Sequence, residues 1–130
     1  MTRILITGAA GMVGRALIPM LEGHEVIATD MSPPGKLPPN VTFQKMDVTG
    51  DDPARIIAAT RPEVIVHLAS VVTPPKRTGR DFAHRVDVVG SRNVLQAALD
   101  NGVRRLVVTS SGPAYGYHAD NPAWLREDDP

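Results

Sequence analysis

At 130 residues the chain has the length of one domain with a sizeable core. Fourteen basic and fourteen acidic side chains cancel to a formal net charge of zero, so no electrostatic footprint marks a nucleic-acid or membrane partner. The lack of cysteine excludes a disulfide framework and thiolate chemistry and fits a cytoplasmic location. No apolar run is long enough to span a bilayer, and Met1-Thr2-Arg3 leads straight into the first strand, without a signal-peptide pattern. His24, His67, His84 and His118 are scattered and show no metal-ligand spacing, so no metal is expected.

The first predicted strand covers 3–7 and breaks into Gly8, Gly11 and Gly14, three residues apart, with a helical pattern directly behind. This reads as strand, tight turn and helix. Gly8 lets the backbone leave the strand sharply, Gly11 lets a phosphate approach the main chain, and Gly14 lets the helix pack closely on the strand. The N–H groups of the first helical turn point at the same place, where an anion is favoured, and a dinucleotide pyrophosphate fits it.

A helix is predicted over 12–21, with Val13, Leu17 and Leu21 on one face; Pro19 kinks or shortens it, and Gly23 stops it. Strand 2 covers 25–29 and ends at Asp30, and 32–40 is a loop rich in proline and glycine. Strand 3 covers 41–46, followed by Asp47-Val48. Asp51-Asp52-Pro53 starts a short helix that runs to Thr60 with Ile56 and Ile57 as its apolar face, and Arg61-Pro62 ends it. Strand 4 covers 63–69 and is almost continuously apolar, as a strand buried on both faces would be. After a loop over 70–79, a long helix covers 80–100, with Phe82, Val86, Val89, Val94, Ala97 and Ala98 as its apolar stripe. Strand 5 covers 105–109, and the tail from Ala114 has no periodicity.

Strands alternating with helices demand a parallel sheet covered on both faces. Right-handed crossovers then give an α/β, Rossmann-like doubly wound sheet in the order 3-2-1-4-5. Its ligand lies over the carboxyl ends of the strands, at the switch point between strands 1 and 4. Each strand end carries a candidate group there: Gly8 and Gly11, Asp30, Asp47, Ala69 and Ser70, Ser110 and Ser111.

Thr7-Gly8-x-x-Gly11-x-x-Gly14, Asp30, Asp47-Val48, Arg61-Pro62-Glu63-Val64-Ile65-Val66-His67-Leu68-Ala69, Gly90-Ser91-Arg92-Asn93-Val94-Leu95 and Ser110-Ser111-x-x-x-Tyr115-Gly116 together resemble the extended short-chain dehydrogenase/reductase superfamily. Within it the pattern is similar to the NAD-dependent epimerase/dehydratase family, over nearly the whole chain. The set is specific, although no single piece is. The resemblance implies NAD as cofactor, held at the glycine turn by Gly8, Ala10, Gly11, Met12, Val13 and Gly14, with Thr109 at the end of strand 5. It implies that Asp30 accepts hydrogen bonds from the adenosine ribose, where a carboxylate repels a 2′-phosphate and disfavours NADP. Asp47 would take the adenine amine and Val48 would give apolar contact; the alternative for Asp47 is a capping role before Thr49-Gly50. Leu68, Ala69 and Ser70 would run beneath the pyrophosphate and nicotinamide ribose. Ser111 would be catalytic, bonding the oxygen of a sugar, nucleotide-sugar or sugar-acid carbinol that loses hydride, while Tyr115 packs or touches substrate. His67, inside a buried strand, is read as structural rather than proton-transferring.

Two departures matter. Asp87 stands where the family carries Asn, and an ionised carboxylate only accepts hydrogen bonds. The family's general acid/base, a Tyr with a Lys four residues later, has no counterpart: the tyrosines are Tyr115 and Tyr117, the lysines Lys36, Lys45 and Lys76. The chain is therefore expected to be one dinucleotide-binding domain over 1–130, the front part of a longer enzyme, lacking the later strands and the C-terminal substrate region. The other reading is a non-catalytic NAD-binding module or an inactive fragment. Strand 5 would be an exposed edge, from which self-association into a homo-oligomer is expected.

Overall fold

Five short runs rich in β-branched residues form the strands: β1 (Arg3–Thr7), β2 (Glu25–Asp30), β3 (Val41–Lys45), β4 (Val64–His67) and β5 (Arg105–Val108). The computed structural model describes residues 1–77 and 79–129; of the expected elements, Thr78 in the loop over 70–79 and Pro130 in the tail lie outside the described residues. All neighbouring strands are parallel, in the order β3-β2-β1-β4-β5 that the sequence predicts. The register sets Thr7 between Thr29 and His67, so three polar side chains meet at the carboxyl edge of the sheet.

Alternation along the strands sorts the core into two layers. Leu5, Ile27 and Ile65 face the helices α2 (Asp52–Thr60) and α4 (Ser91–Asp100), through Ile56, Ile57, Val94, Ala97 and Ala98. Ile4, Ile6, Val26 and Ala28 face the opposite side, where Ile18 closes the layer.

Helix α1 (Met12–Leu17) tightens into a 3₁₀ turn at Ile18–Leu21. Pro19 has no N–H and its ring crowds the carbonyl four residues back, so the α-helical ladder cannot continue, as expected. The buried face differs from the predicted one. Gly14 and Ile18 are buried, Leu17 and Leu21 partly so, and Val13 is half exposed. A Cβ on Gly14 would lie 2.7 Å from backbone atoms of Ala9 and Gly8. This close approach, rather than the number of apolar residues, sets which face turns inward.

Helix α2 starts as predicted, with Pro53 in its first turn, and ends at Arg61 in the left-handed region, φ 46°. The Asp52 carboxylate accepts the Asp47 N–H at 2.9 Å and a hydrogen bond from Arg55 at 2.6 Å, and the two donors hold it below the usual carboxylate range.

The predicted helix over 80–100 is an unbroken rod with a wide turn in its middle: α3 (Gly79–His84), a π-helical stretch (Arg85–Gly90), then α4. Such a turn shifts the phase of the helix. Val94, Ala97 and Ala98 pack in the core and Val86 packs partly buried against it, whereas Phe82 is 38% exposed. Gly90 sits where a Cβ would come within 2.6 Å of Val48 Cγ2.

Strand β4 is not buried on both faces. Ile65 and His67 are buried, but Val64 and Val66 only partly, because the layer on their side centres on β1, β2 and Ile18. The strand at the sheet edge, β5, leaves Val107 and Val108 44% and 50% exposed. Among the described residues no helix is long and apolar enough to cross a membrane.

Candidate functional site

A cavity of about 580 Å³ opens over the carboxyl ends of the strands, at the switch point between β1 and β4 that the topology predicts. Its floor begins at the glycine turn. Gly8 has φ +70°, and a Cβ there would lie 2.6 Å from the Ala69 nitrogen and 2.7 Å from the Leu68 carbonyl carbon. The turn after β1 and the exit of β4 are therefore in direct backbone contact, which only glycine allows. Gly11 lines the cavity, and a Cβ on it would meet only the Gly8 oxygen, at 3.2 Å. Its backbone stays bare toward the cavity. Gly14 faces the core instead.

The Asp30 carboxylate accepts the Ala10 N–H at 2.9 Å on one oxygen and the Met31 N–H at 2.7 Å on the other. These bonds aim it across the turn and leave each oxygen a further acceptor position toward the cavity. Asp47 Oδ1 accepts both the N–H and the hydroxyl of Thr49, at 2.9 and 2.7 Å. The capping role is thus present, and Oδ2 has no protein partner among the described residues. Val48 and Met46 give the cavity an apolar base, 7% and 2% exposed.

The segment leaving β4 forms the next wall. Thr7 Oγ1 accepts the N–H groups of Leu68 and Ala69, at 3.2 and 3.3 Å. Ser70 stands exposed on the rim, and the Val71 N–H donates to Asp87 Oδ1 at 3.0 Å. Asp87 therefore serves as an acceptor, which a carboxylate does as well as the amide of the resembled pattern. His67 is buried and hydrogen-bonded through both ring nitrogens, the structural role expected of it.

The structure thus brings Gly8, Ala10, Gly11, Asp30, Asp47, Val48, Leu68, Ala69 and Ser70 to one cavity. It does not bring Met12, Val13, Gly14, Thr109 or Ser111 to its lining. Met12 is 87% exposed, and Ser111 is exposed at the start of a 3₁₀ turn (Gly112–Tyr115), its carbonyl accepting the Ala114 N–H. Sequence reasoning missed the wall given by Phe82, Arg85 and Val86. Both Phe82 and Val86 read as core stripe; Val86 packs against the core and lines the cavity as well, while Phe82 lines the cavity alone, and nothing in the local pattern announces the wide turn that follows it. Met46 was findable, since it directly precedes Asp47 at a strand end.

The residues present fit a dinucleotide: a bare glycine backbone for the pyrophosphate, an anchored carboxylate for ribose hydroxyls and an apolar slot beside Val48. Comparison with known proteins agrees. The model of the NAD dependent epimerase/dehydratase family matches residues 4–130. The chain is 36% identical to UDP-glucose 4-epimerase of Mycolicibacterium smegmatis, over 92% of this chain and 44% of that protein. The crystal structure of the Bordetella bronchiseptica enzyme WbmH in complex with NAD+ superposes with a TM-score of 0.80 at 28% identity, covering 100% of this chain and 45% of that one. Uronate dehydrogenase from Agrobacterium tumefaciens, a Y136A mutant complexed with NAD, gives a TM-score of 0.72 at 29% identity, over 90% of this chain and 43% of that one. The chain spans less than half the length of each of these relatives. On the family match and the site together, the chain belongs to the NAD dependent epimerase/dehydratase family.

Proposed function

We propose that this chain binds NAD in preference to NADP and forms the cofactor-binding part of an oxidoreductase, epimerase or dehydratase acting on a sugar, nucleotide-sugar or sugar-acid carbinol. The observation that carries the reading is the cavity at the switch point, with the bare Gly11 backbone on one side and the doubly anchored Asp30 carboxylate facing it. The glycine turn admits the pyrophosphate. Asp30 accepts the ribose hydroxyls and repels a 2′-phosphate. Asp47 Oδ2 takes the adenine amine, Val48 supports the ring, and Leu68 to Ser70 underlie the nicotinamide ribose. Bound NAD supplies a hydride acceptor. Ser111 bonds the carbinol oxygen; its place just beyond β5, at the carboxyl edge of the sheet, supports this. With no Tyr-x-x-x-Lys in the sequence, the proton is assigned to groups outside this chain.

A second reading, a dinucleotide-binding module without chemistry, is favoured by the exposure of Ser111 outside the cavity lining. Parallel calorimetric titrations with NAD and NADP test the cofactor assignment. NAD is expected to bind at least about tenfold tighter, a difference of about 1.4 kcal/mol. Absence of NAD binding by a folded chain would sink it. If NAD binds, NADH formation with sugars or uronic acids supports the enzyme, and none supports the module.

The bare β5 edge also supports self-association into a homo-oligomer. Sedimentation of the same samples should show mass rising with concentration; a clean monomer at high concentration would count against it.

A further inference from the structure

His67 lies under the cavity floor without lining it, 3% exposed. Its Nδ1 is 2.6 Å from Thr7 Oγ1 and its Nε2 is 2.8 Å from Ser91 Oγ. Hydrogen-bond arithmetic fixes which atom donates. A hydroxyl oxygen has two acceptor positions and one proton. Thr7 Oγ1 spends both positions on the Leu68 and Ala69 N–H groups. Its proton therefore goes to His67 Nδ1, which must be bare. The imidazole is neutral, and its single proton sits on Nε2 and is donated to Ser91.

We propose that His67 is a positioning residue for the dinucleotide cavity: its bare Nδ1 holds the Thr7 hydroxyl so that both lone pairs of Oγ1 face the segment leaving β4. The inference rests on the cofactor reading above. Ala69 is where this matters most. The Leu68 N–H also reaches the Thr7 carbonyl, at 3.1 Å, whereas the Ala69 N–H has only Oγ1 among the described residues. Ala69 is also the residue against which Gly8 is pressed. Fixing that amide fixes the gap between the glycine turn and the opposite wall. Through Nε2 and Ser91 the same ring ties this point to the start of α4, directly after the wide turn that carries Arg85 and Val86.

Protonation undoes the arrangement. A proton on Nδ1 makes it a third donor toward an oxygen with two acceptor positions, and the Ala69 N–H is released. Burial already disfavours the charged ring, and Asp87, on the helix packed over it, partly opposes this. The flanking strands place Thr7 and Val108 beside His67 and bring no charge there.

The test reads NAD affinity by calorimetry and Ala69 amide exchange by NMR. It compares the wild type with His67→Leu, which removes both ring contacts, and His67→Asn, whose amide oxygen reaches the Nδ1 position and does not titrate. His67→Leu is expected to bind NAD about tenfold more weakly at neutral pH and to lose Ala69 protection, the scale of one buried hydrogen bond. His67→Asn should recover most of both. Because burial moves the titration of this ring below the ordinary imidazole value of about 6.5, wild-type affinity should hold from neutral pH down to that value and fall on further acidification, while that of His67→Asn shows no such step. Thr7→Val removes the same acceptor in the same shape and serves if His67→Leu does not fold. Wild-type NAD affinity in His67→Leu or Thr7→Val, an acid-side loss that persists in His67→Asn, or a neutral ring with its proton on Nδ1 would each overturn the proposal. If the wild type does not bind NAD at neutral pH, the cofactor reading fails separately, and Ala69 protection in the variants still decides the role of His67.

Discussion

Gly8→Ala is expected to abolish NAD binding and to lower folding stability by about 3 kcal/mol. Two costs add. At φ +70° an L-side chain carries a left-handed penalty of about 1–2 kcal/mol. The new Cβ would then lie 2.6–2.8 Å from three backbone atoms of Leu68 and Ala69, none of which can swing aside as a side-chain tip would. Relief requires β1 and the exit of β4 to part. That movement breaks the bond between the Ala69 N–H and Thr7 Oγ1 and distorts the cavity floor. Urea denaturation reads the first effect and NAD titration the second. A variant within about 1 kcal/mol of wild type would mean that the turn is free to relax, and the rigid floor argued above would be wrong.

The other two glycines separate folding from binding. Gly14→Ala should lower stability by about 2–4 kcal/mol, because its Cβ would strike the backbone of Ala9 and Gly8 at 2.7 Å and lift α1 off the layer that Ile18 closes. Gly11→Ala should leave stability within about 1 kcal/mol. Its φ and ψ, −72° and 174°, suit any residue, and only the Gly8 oxygen, at 3.2 Å, has to give slightly. Yet a methyl group there enters the space left for the pyrophosphate, and NAD affinity should fall at least about tenfold, or about 1.4 kcal/mol. Denaturation and titration on the two variants give a crossed pattern if the assignments hold. If Gly11→Ala binds NAD normally, the pyrophosphate does not approach at that turn.

The close approaches at Gly8 and Gly14 were legible in the glycine spacing, because each follows from the missing Cβ and from the order strand, turn, helix. Strand order was legible too, since right-handed crossovers leave few topologies for five alternating strands. The Pro19 break was readable because it depends on a missing N–H and a ring clash within one turn of helix. Asp47 was readable only as a pair of alternatives. The structure gives Oδ1 to Thr49 and leaves Oδ2 without a protein partner, so both parts are open to the same carboxylate.

The sequence by itself determined the elements, their order in the sheet and the edge at which a ligand would sit. These rest on short-range properties: β-branched runs, helix breakers, glycine spacing and the handedness of crossovers. Only the tertiary structure decided which faces turn inward and who meets whom. The close approach at Gly14, not the apolar residues of α1, chose its buried row. Phe82, just ahead of the wide turn over Arg85–Gly90, lines the cavity instead of the core, and Val86 serves both. Thr7, His67 and Ser91, on two strands and a helix, became one hydrogen-bonded chain. Contacts of this kind depend on how elements distant in sequence are pressed together, and no local pattern encodes that distance.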